Sequence, residues 1–571
     1  MENKQIVGTG GELLMHQLVA QGVKYAFTNT GSAEAGFFNA FLTVPGVQPI
    51  LLLAESLVLS AADGYAKAAN TPAFVNVHLA AGTRQGSGQL QNAYFDGTPM
   101  VVTAAMRDTG SFGDHNTLGS SAGFSQMGAV QDITKARWEV SDPRGVPMAT
   151  RRAFKHAMTM PTGPVYLAFS GPALDTEAQG TIRSGEALQV AQTPESSTLE
   201  QIHDALLNAE RPLLLAGPDV RAAGAQAELL ELAEHYALPA AVSFYDYGAF
   251  PLRHPSYAGL LDTMDDSKHD VVVCVGYRQN TRAQPADEKF SGAQTIIGLG
   301  HDAAMMGNTF ALDLHILGDV RHSLTALNAL WKPDHANLAR IQNRKLELVA
   351  QSTERLAAER AQSTELSTSN PIHPLYLGDS MGRILAENTL LVSENFRGAD
   401  HVMPFGYGDN DWAMVRTAGG SLGYGLGAAI GAQLAAPERP VVLSIGDGGV
   451  MYSASGFWTM ARYSLPILTV VWNNMGYQTV RTNFASWGGE MKAQNKYPET
   501  FLGEPAIDYV MLAKAQGIDG MHIRSPQELD AAMTRGKEAQ AAGEPFVLDV
   551  HITNVGEGAD SSWHKVFALH T

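Results

Sequence analysis

Cysteine is almost missing from this chain: Cys274 stands alone. A single thiol excludes an intramolecular disulfide and a cysteine-based metal cluster, and it predicts a reducing, cytoplasmic setting. Long apolar runs are missing too. No uninterrupted stretch approaches the ~20 residues that span a bilayer, and the opening Met1-Glu2-Asn3-Lys4-Gln5 lacks the basic segment and apolar core of an export signal. A soluble, unexported protein without a membrane partner is expected. Positive charge is in deficit, with a formal net charge of -18 and no basic cluster, which argues against a nucleic-acid partner. A small anionic substrate would need local positive groups. Charged residues make only 17% of the chain against 45% hydrophobic, with 57 glycines. That balance fits an α/β enzyme with many tight βα turns rather than a disordered or fibrous chain, and 571 residues predict about three or four domains.

The most informative segment is Gly446-Asp447-Gly448, followed after residues 449 to 472 by Asn473-Asn474. Val441-Val442-Leu443-Ser444-Ile445 has strand length, residues 453 to 463 carry helical patterning closed by Pro466, and Ile467 to Trp472 is a second apolar strand. Such a βαβ unit places Asp447 and Asn474 just past neighbouring carboxyl ends of a parallel sheet. A carboxylate and an amide oxygen converging there suit Mg2+, which retains positions for phosphate oxygens. Gly448 and Gly449 open the intervening helix, whose free N–H groups favour an anion. An ordinary βα turn with a capping Asp and two turn Asn residues is the plainer alternative.

Around this unit the chain predicts an α/β protein of three doubly wound parallel-sheet domains. From about 8 to 175, helices alternate with apolar strands at Tyr25–Phe27, Ile50–Leu53, Ala73–Val77, Met100–Thr103 and Val165–Ala168. Residues 176 to 197 read as a polar linker. A second unit has strands at Leu213–Ala216 and Val271–Val275 and runs to about 335, before a charged, Ala-rich helix over 336 to 362 and a polar joint over 363 to 370. The expected domains are 1–180, 195–340 and 365–555, with a tail over 556–571 that is either a surface extension or an active-site cover. The similarity of the two outer domains suggests an ancient duplication.

Leu53-Ala54-Glu55, Asp63-Gly64-Tyr65-Ala66, Val77-His78-Leu79-Ala80-Ala81-Gly82-Thr83 and Asn92-Ala93-Tyr94-Phe95-Asp96-Gly97-Thr98-Pro99 resemble the first domain of the thiamine-diphosphate decarboxylase and acetolactate synthase superfamily, and within it the benzoylformate decarboxylases. Gly217-Pro218-Asp219-Val220, the stretch from Ala429-Ile430-Gly431 to Arg439, and Tyr452 to Pro466 extend the resemblance over nearly the whole chain. It implies thiamine diphosphate and Mg2+ as cofactors, with the domains in pyrimidine-binding, central and diphosphate-binding order. Glu55 would contact the pyrimidine nitrogen, although a Glu opening a helix is also simply a good first-turn residue. The carbonyl of Gly420 would accept from the 4-amino group, and Leu422 would be the wedge that bends the cofactor. Asp447, Asn474 and the carbonyl of Gly476 would hold the metal. Gly448, Gly449, Asn474, Tyr477, Glu394 and Asn395 would surround the diphosphate.

On the substrate side the resemblance is mixed. Ser32 and His78 match active-site positions of benzoylformate decarboxylases, and a histidine has the pKa range to shuttle protons. His115, in His-Asn-Thr-Leu-Gly, resembles instead the histidine pair of pyruvate decarboxylases; either histidine has a structural alternative. Where benzoylformate decarboxylases carry a second catalytic histidine, this chain reads Tyr277-Arg278-Gln279-Asn280-Thr281-Arg282-Ala283. Arg278 and Arg282 would hold a substrate anion or serve as solvated loop charges. Residues 482 to 505, with Trp487, Lys492 and Lys496, are a long insertion expected to reshape the pocket.

The resemblance implies a small 2-oxo acid or an aldehyde or ketone as substrate and a homo-oligomer of at least two copies, a tetramer by family habit, with the cofactor between the first domain of one copy and the third of another. The implied reaction cleaves or forms the C–C bond next to a carbonyl, foremost decarboxylation of a 2-oxo acid with carboligation to 2-hydroxy ketones as a branch. Alternatives are a non-decarboxylating lyase or carboligase of 2-hydroxy ketones or 2-hydroxyacyl thioesters, an oxidase with FAD in the central domain, and a cofactor-binding protein without turnover.

Overall fold

The computed structural model of the protein describes residues 4–106, 118, 125–184, 192–242, 248–261, 264–278, 289–308, 310–395, 401–402 and 414–561. His115 and Arg282 lie outside them, as do Trp563 and His564 of the tail. Two units result: residues 1–187, 363–405 and 415–571 form one, and residues 188–362 with 406–414 form the other.

In the first unit, β1 (Lys4–Thr9) pairs antiparallel with β8 (Glu177–Ile182). The polar stretch expected to be linker therefore begins as a strand; its partner is far away in sequence, so no local pattern announces it. Between them β2 (Tyr25–Thr28), β3 (Gln48–Leu51), β4 (Ala73–Val77), β5 (Met100–Met106), β6 (Ala136–Val140) and β7 (Pro164–Ser170) form a parallel sheet ordered β3-β2-β4-β5-β7-β6. With helices on both faces its central strands are buried and read as continuous apolar runs. Asn76 interrupts one of these runs. Buried mid-strand, it donates from Nδ2 to Thr103 Oγ1 at 3.0 Å, directly opposite in β5, so its amide N–H is satisfied.

The other sheet of this unit contains β15 (Leu390–Glu394), β16 (Met414–Val415), β17 (Val441–Gly446), β18 (Ile467–Asn473), β19 (Asp519–Ile523) and β20 (Phe546–His551). Its order, β16-β15-β17-β18-β20-β19, repeats that of the first sheet position for position. The helix predicted over 453 to 463 is two short helices, Asp447–Ser453 and Gly456–Arg462. The two sheets meet through the Glu55–Ala69 and Gly425–Ala435 helices. A Cβ on Gly431 would lie 1.8 Å from the Ala61 carbonyl, one on Gly427 1.9 Å from Ser60 Oγ, and one on Gly64 2.2 Å from the Ala428 carbonyl. These helices pack backbone to backbone, an approach that only residues without a side chain permit.

The second unit holds β9 (Pro212–Ala216), β10 (Ala240–Val242), β11 (Tyr257–Leu260), β12 (Val271–Val275), β13 (Thr295–Gly300) and β14 (Leu314–Leu317), ordered β11-β10-β9-β12-β13-β14 and parallel. The charged helix runs over His335–Glu365. Its buried Arg344 donates to the carbonyls of Ala237, Ala209 and Tyr236, placing a cation on the carboxyl ends of two helices. The chain is thus an α/β protein of three doubly wound parallel sheets.

Candidate active site

In a doubly wound sheet, ligands collect beyond the carboxyl ends of the strands where the strand order reverses. In the sheet of residues 390–551 that point lies between β15 and β17, and the last residue of β15 and the first beyond β17 are Glu394 and Asp447. A cavity of about 400 Å3 opens there. Asp447, Asn474 and Gly476 line it together with Gly448, Gly449, Tyr477, Gly420, Leu422, Glu394 and Asn395.

The Asp447 carboxylate is nearly buried and accepts from Gly448 N–H at 2.8 Å and from Gly476 N–H at 3.0 Å. Asn474 Oδ1 accepts from the same Gly476 N–H at 3.1 Å. Two side-chain oxygens sharing one amide donor necessarily lie close together, on one side of the sheet. Burial outweighs those N–H donors and pushes the Asp447 carboxyl up to about 7. The turn from Asn474 to Gly476 is strained: Met475 has φ +56°, a conformation costly for a side-chain-bearing residue. Gly448 is required by space, because a Cβ there would lie 2.4 Å from the Tyr477 ring. A carboxylate, an amide oxygen and a helix N-terminus stripped of side chains form a donor set that fits Mg2+ and a diphosphate.

Glu394 lines the cavity but spends its carboxylate on the backbone: it accepts from Gly423 N–H and Gly425 N–H, both at 2.6 Å. Burial pushes it up to about 7 against those donors. Its contact is the turn that carries Leu422 into the Gly425–Ala435 helix.

Residues 398–550 match the family model "Thiamine pyrophosphate enzyme, C-terminal TPP binding domain", residues 199–327 the central domain and residues 8–131 the N-terminal TPP binding domain of the same enzymes. The chain is 30% identical over 559 residues to benzoylformate decarboxylase of Pseudomonas aeruginosa, covering 93% of this chain and 96% of that protein. The chain belongs to the thiamine pyrophosphate enzyme family. It is also 24% identical over 585 residues to the acetolactate synthase isozyme 3 large subunit of Escherichia coli, across 97% of this chain and 98% of that one. Among solved structures it is similar to the thiamine diphosphate-dependent 4-hydroxybenzoylformate decarboxylase of Rhodococcus jostii RHA1, with a TM-score of 0.80 at 24% identity over 95% of this chain and 99% of that chain. That likeness concerns the fold.

The residues expected to complete a thiamine pyrophosphate site from the first domain stand elsewhere. Among the described residues, those lining the cavity all come from 374 to 556, and Glu55 is not one of them. Glu55 opens the Glu55–Ala69 helix, only 7% exposed. A Cβ on Gly82 would lie 2.7 Å from Glu55 Oε1, which accounts for the glycine in the Val77–Thr83 motif. His78 follows β4, and its Nδ1 lies 2.7 Å from Glu34 Oε2. The fully buried Glu34 also accepts from Leu79 N–H at 3.1 Å and Ala105 N–H at 2.9 Å. Leu79 has φ +51°, so the turn presenting His78 is strained and held by Glu34.

No local pattern marks Glu34 in the sequence; only the fold carries it across to His78. Its neighbour Ser32, a site residue by resemblance, begins the same short turn and is exposed. Arg278 is not a solvated charge: it is 5% exposed, and its Nε lies 2.6 Å from Asp219 Oδ1, with His301 Nε2 3.2 Å from Asp219 Oδ2.

Proposed function

We propose that this family member decarboxylates a small 2-oxo acid, using thiamine diphosphate and Mg2+ held between two copies of the chain. The observation that carries the reading is the convergence of Asp447 and Asn474 oxygens on one backbone amide inside the glycine-walled cavity. Asp447, Asn474 and the Gly476 carbonyl would hold the metal. The N–H groups of Gly448 and Gly449 would meet the diphosphate, and Leu422 would set the bend of the cofactor. When bound, thiamine diphosphate supplies a nucleophilic carbon and an electron sink for the bond next to a carbonyl.

The Glu55 side chain has no hydrogen bond or ion pair among the described residues and would meet the pyrimidine ring of a cofactor carried by a second copy. His78 is set for proton transfer. Its Nδ1 is engaged by Glu34, which would leave Nε2 to face the substrate. The similarity to an acetolactate synthase supports carboligation as a second outlet of the same site. The test is CO2 release from a panel of aromatic and aliphatic 2-oxo acids, with and without aldehyde acceptors. Release with aldehyde formation supports decarboxylation. Cleavage of 2-hydroxy ketones with no CO2 from any 2-oxo acid would overturn it in favour of the lyase.

A further inference from the structure

The Asn92–Pro99 motif takes no part in the site described above, yet its side chains point at that site's backbone. Within the Ser87–Asp96 helix, Gln89, Asn92 and Asp96 stand three and four residues apart and so share one face. Asn92, fully buried, donates from Nδ2 to the Ser421 carbonyl at 2.9 Å and accepts on Oδ1 from Ser421 N–H at 3.0 Å. Gln89 Nε2 donates to the Leu422 carbonyl at 2.8 Å. Asp96 accepts from Ala418 N–H at 2.8 Å, and its other oxygen pairs with Lys67 Nζ at 2.5 Å, which in turn donates to the Arg416 carbonyl at 2.9 Å. The fit is close enough that a Cβ on Gly419 would lie 2.3 Å from Asn92 Oδ1.

The segment held in this way includes Gly420 and Leu422, both of which line the cavity. The Gly420 carbonyl and the Ser421 N–H belong to one planar trans peptide and point in opposite directions. Fixing the Ser421 N–H on Asn92 therefore fixes the direction of the Gly420 carbonyl. Gly420 itself has φ +75°, and a Cβ placed on it would meet no heavy atom within 4 Å.

We propose that Asn92 and Gln89 are positioning residues: the first domain aims the Gly420 carbonyl and seats Leu422 of the same chain for the aminopyrimidine of the cofactor. This rests on the thiamine diphosphate reading of the cavity. The experiment compares full-length wild type, Asn92→Ala and Gln89→Ala. Amide hydrogen exchange over residues 416–422 is followed in the cofactor-free protein. Tryptophan fluorescence titrations with Mg2+ then compare thiamine diphosphate with its analogue lacking the 4-amino group.

We expect exchange over 416–422 to rise at least about tenfold in Asn92→Ala. Wild type should prefer thiamine diphosphate over the analogue by about tenfold, the value of one well-made hydrogen bond, and this preference should collapse toward one in Asn92→Ala. A general loss of packing would weaken both ligands alike and leave the ratio intact. Unchanged exchange, or an unchanged ratio with faster exchange, overturns the proposal. If Asn92→Ala does not fold, Gln89→Ala carries the decision with the same two readouts. If wild type binds neither ligand, the cofactor reading fails by itself, and the aim assigned to Asn92 fails with it whatever the exchange shows.

Discussion

Three carboxylates in this protein have different work, and their surroundings distinguish them. Asp447 faces its cavity with two N–H donors and burial pushes it up to about 7, whereas Glu394 holds a backbone turn and Glu55 is held by nothing among the described residues. Glu55→Gln should therefore fold normally and bind thiamine diphosphate within about tenfold of wild type, while turnover falls by roughly 10²–10⁴, the scale of a lost acid–base group. Fluorescence titration beside steady-state kinetics checks both halves, and near-normal turnover would remove Glu55 from the site. Glu394 makes a pH prediction. Its carboxyl is raised from the ordinary 4.5 to about 7 by burial, so the stability it contributes is complete below about pH 4.5 and is lost as pH rises through about 7. The cofactor-free protein should lose on the order of 1–3 kcal/mol from this group between pH 5 and 8. Glu394→Gln should be less stable at pH 5 by about 1–3 kcal/mol, because one backbone N–H loses its acceptor, and should vary less with pH. Thermal midpoints of both proteins at the two pH values measure this; equal slopes would show that another group carries the dependence.

At the scale of elements, the decisive contact is the crossing of the Glu55–Ala69 and Gly425–Ala435 helices. Gly431→Ala would drive a methyl into the Ala61 carbonyl at 1.8 Å, so the helices must separate. Separation opens voids beside Leu57, Leu426 and Ile430, all fully buried. A loss of about 2–4 kcal/mol is expected, the usual scale for a disturbed core, visible as a lower midpoint in urea unfolding. A midpoint within experimental error of wild type would mean that the crossing adapts. The elements are also where sequence patterning works best. The apolar runs of Ala73–Val77 and Val271–Val275 are strands to the residue, because strands buried on both faces need no alternation. The half-polar β6, Ala-Arg-Trp-Glu-Val, and β8, Glu-Ala-Gln-Gly-Thr-Ile, escape it, since their pairing partners and not their own composition hold them.

At the scale of the molecule, one chain supplies a cavity with Asp447 and Asn474 but leaves Glu55 outside it. On the function proposed above, a working site would take Glu55 from a second copy. This makes complementation a direct test: Glu55→Gln and Asp447→Asn are each expected to be inactive. After the two are mixed and allowed to exchange subunits, about one quarter of wild-type activity should return, since half the dimers are mixed and one of the two sites in each is intact. No recovery from a mixture that mass spectrometry shows to have exchanged would place Glu55 and Asp447 of the same chain in one site, or in none.

The sequence by itself determined the parts whose physics is local. The βαβ unit around Gly446-Asp447-Gly448 and Asn474, the glycines at the helix N-terminus and the three α/β sheets were all legible, because apolar strand runs, turn residues and helix starts act over a few positions. The nonlocal parts were decided by the tertiary structure. Glu34 meets His78, Arg278 is buried against Asp219, Glu394 turns to the backbone of Gly423 and Gly425, and Asn92 and Gln89 reach Ser421 and Leu422. Each of these pairs joins residues from different elements. A buried polar side chain must find a partner wherever the fold places one, and its own neighbours in the chain do not say which partner that is.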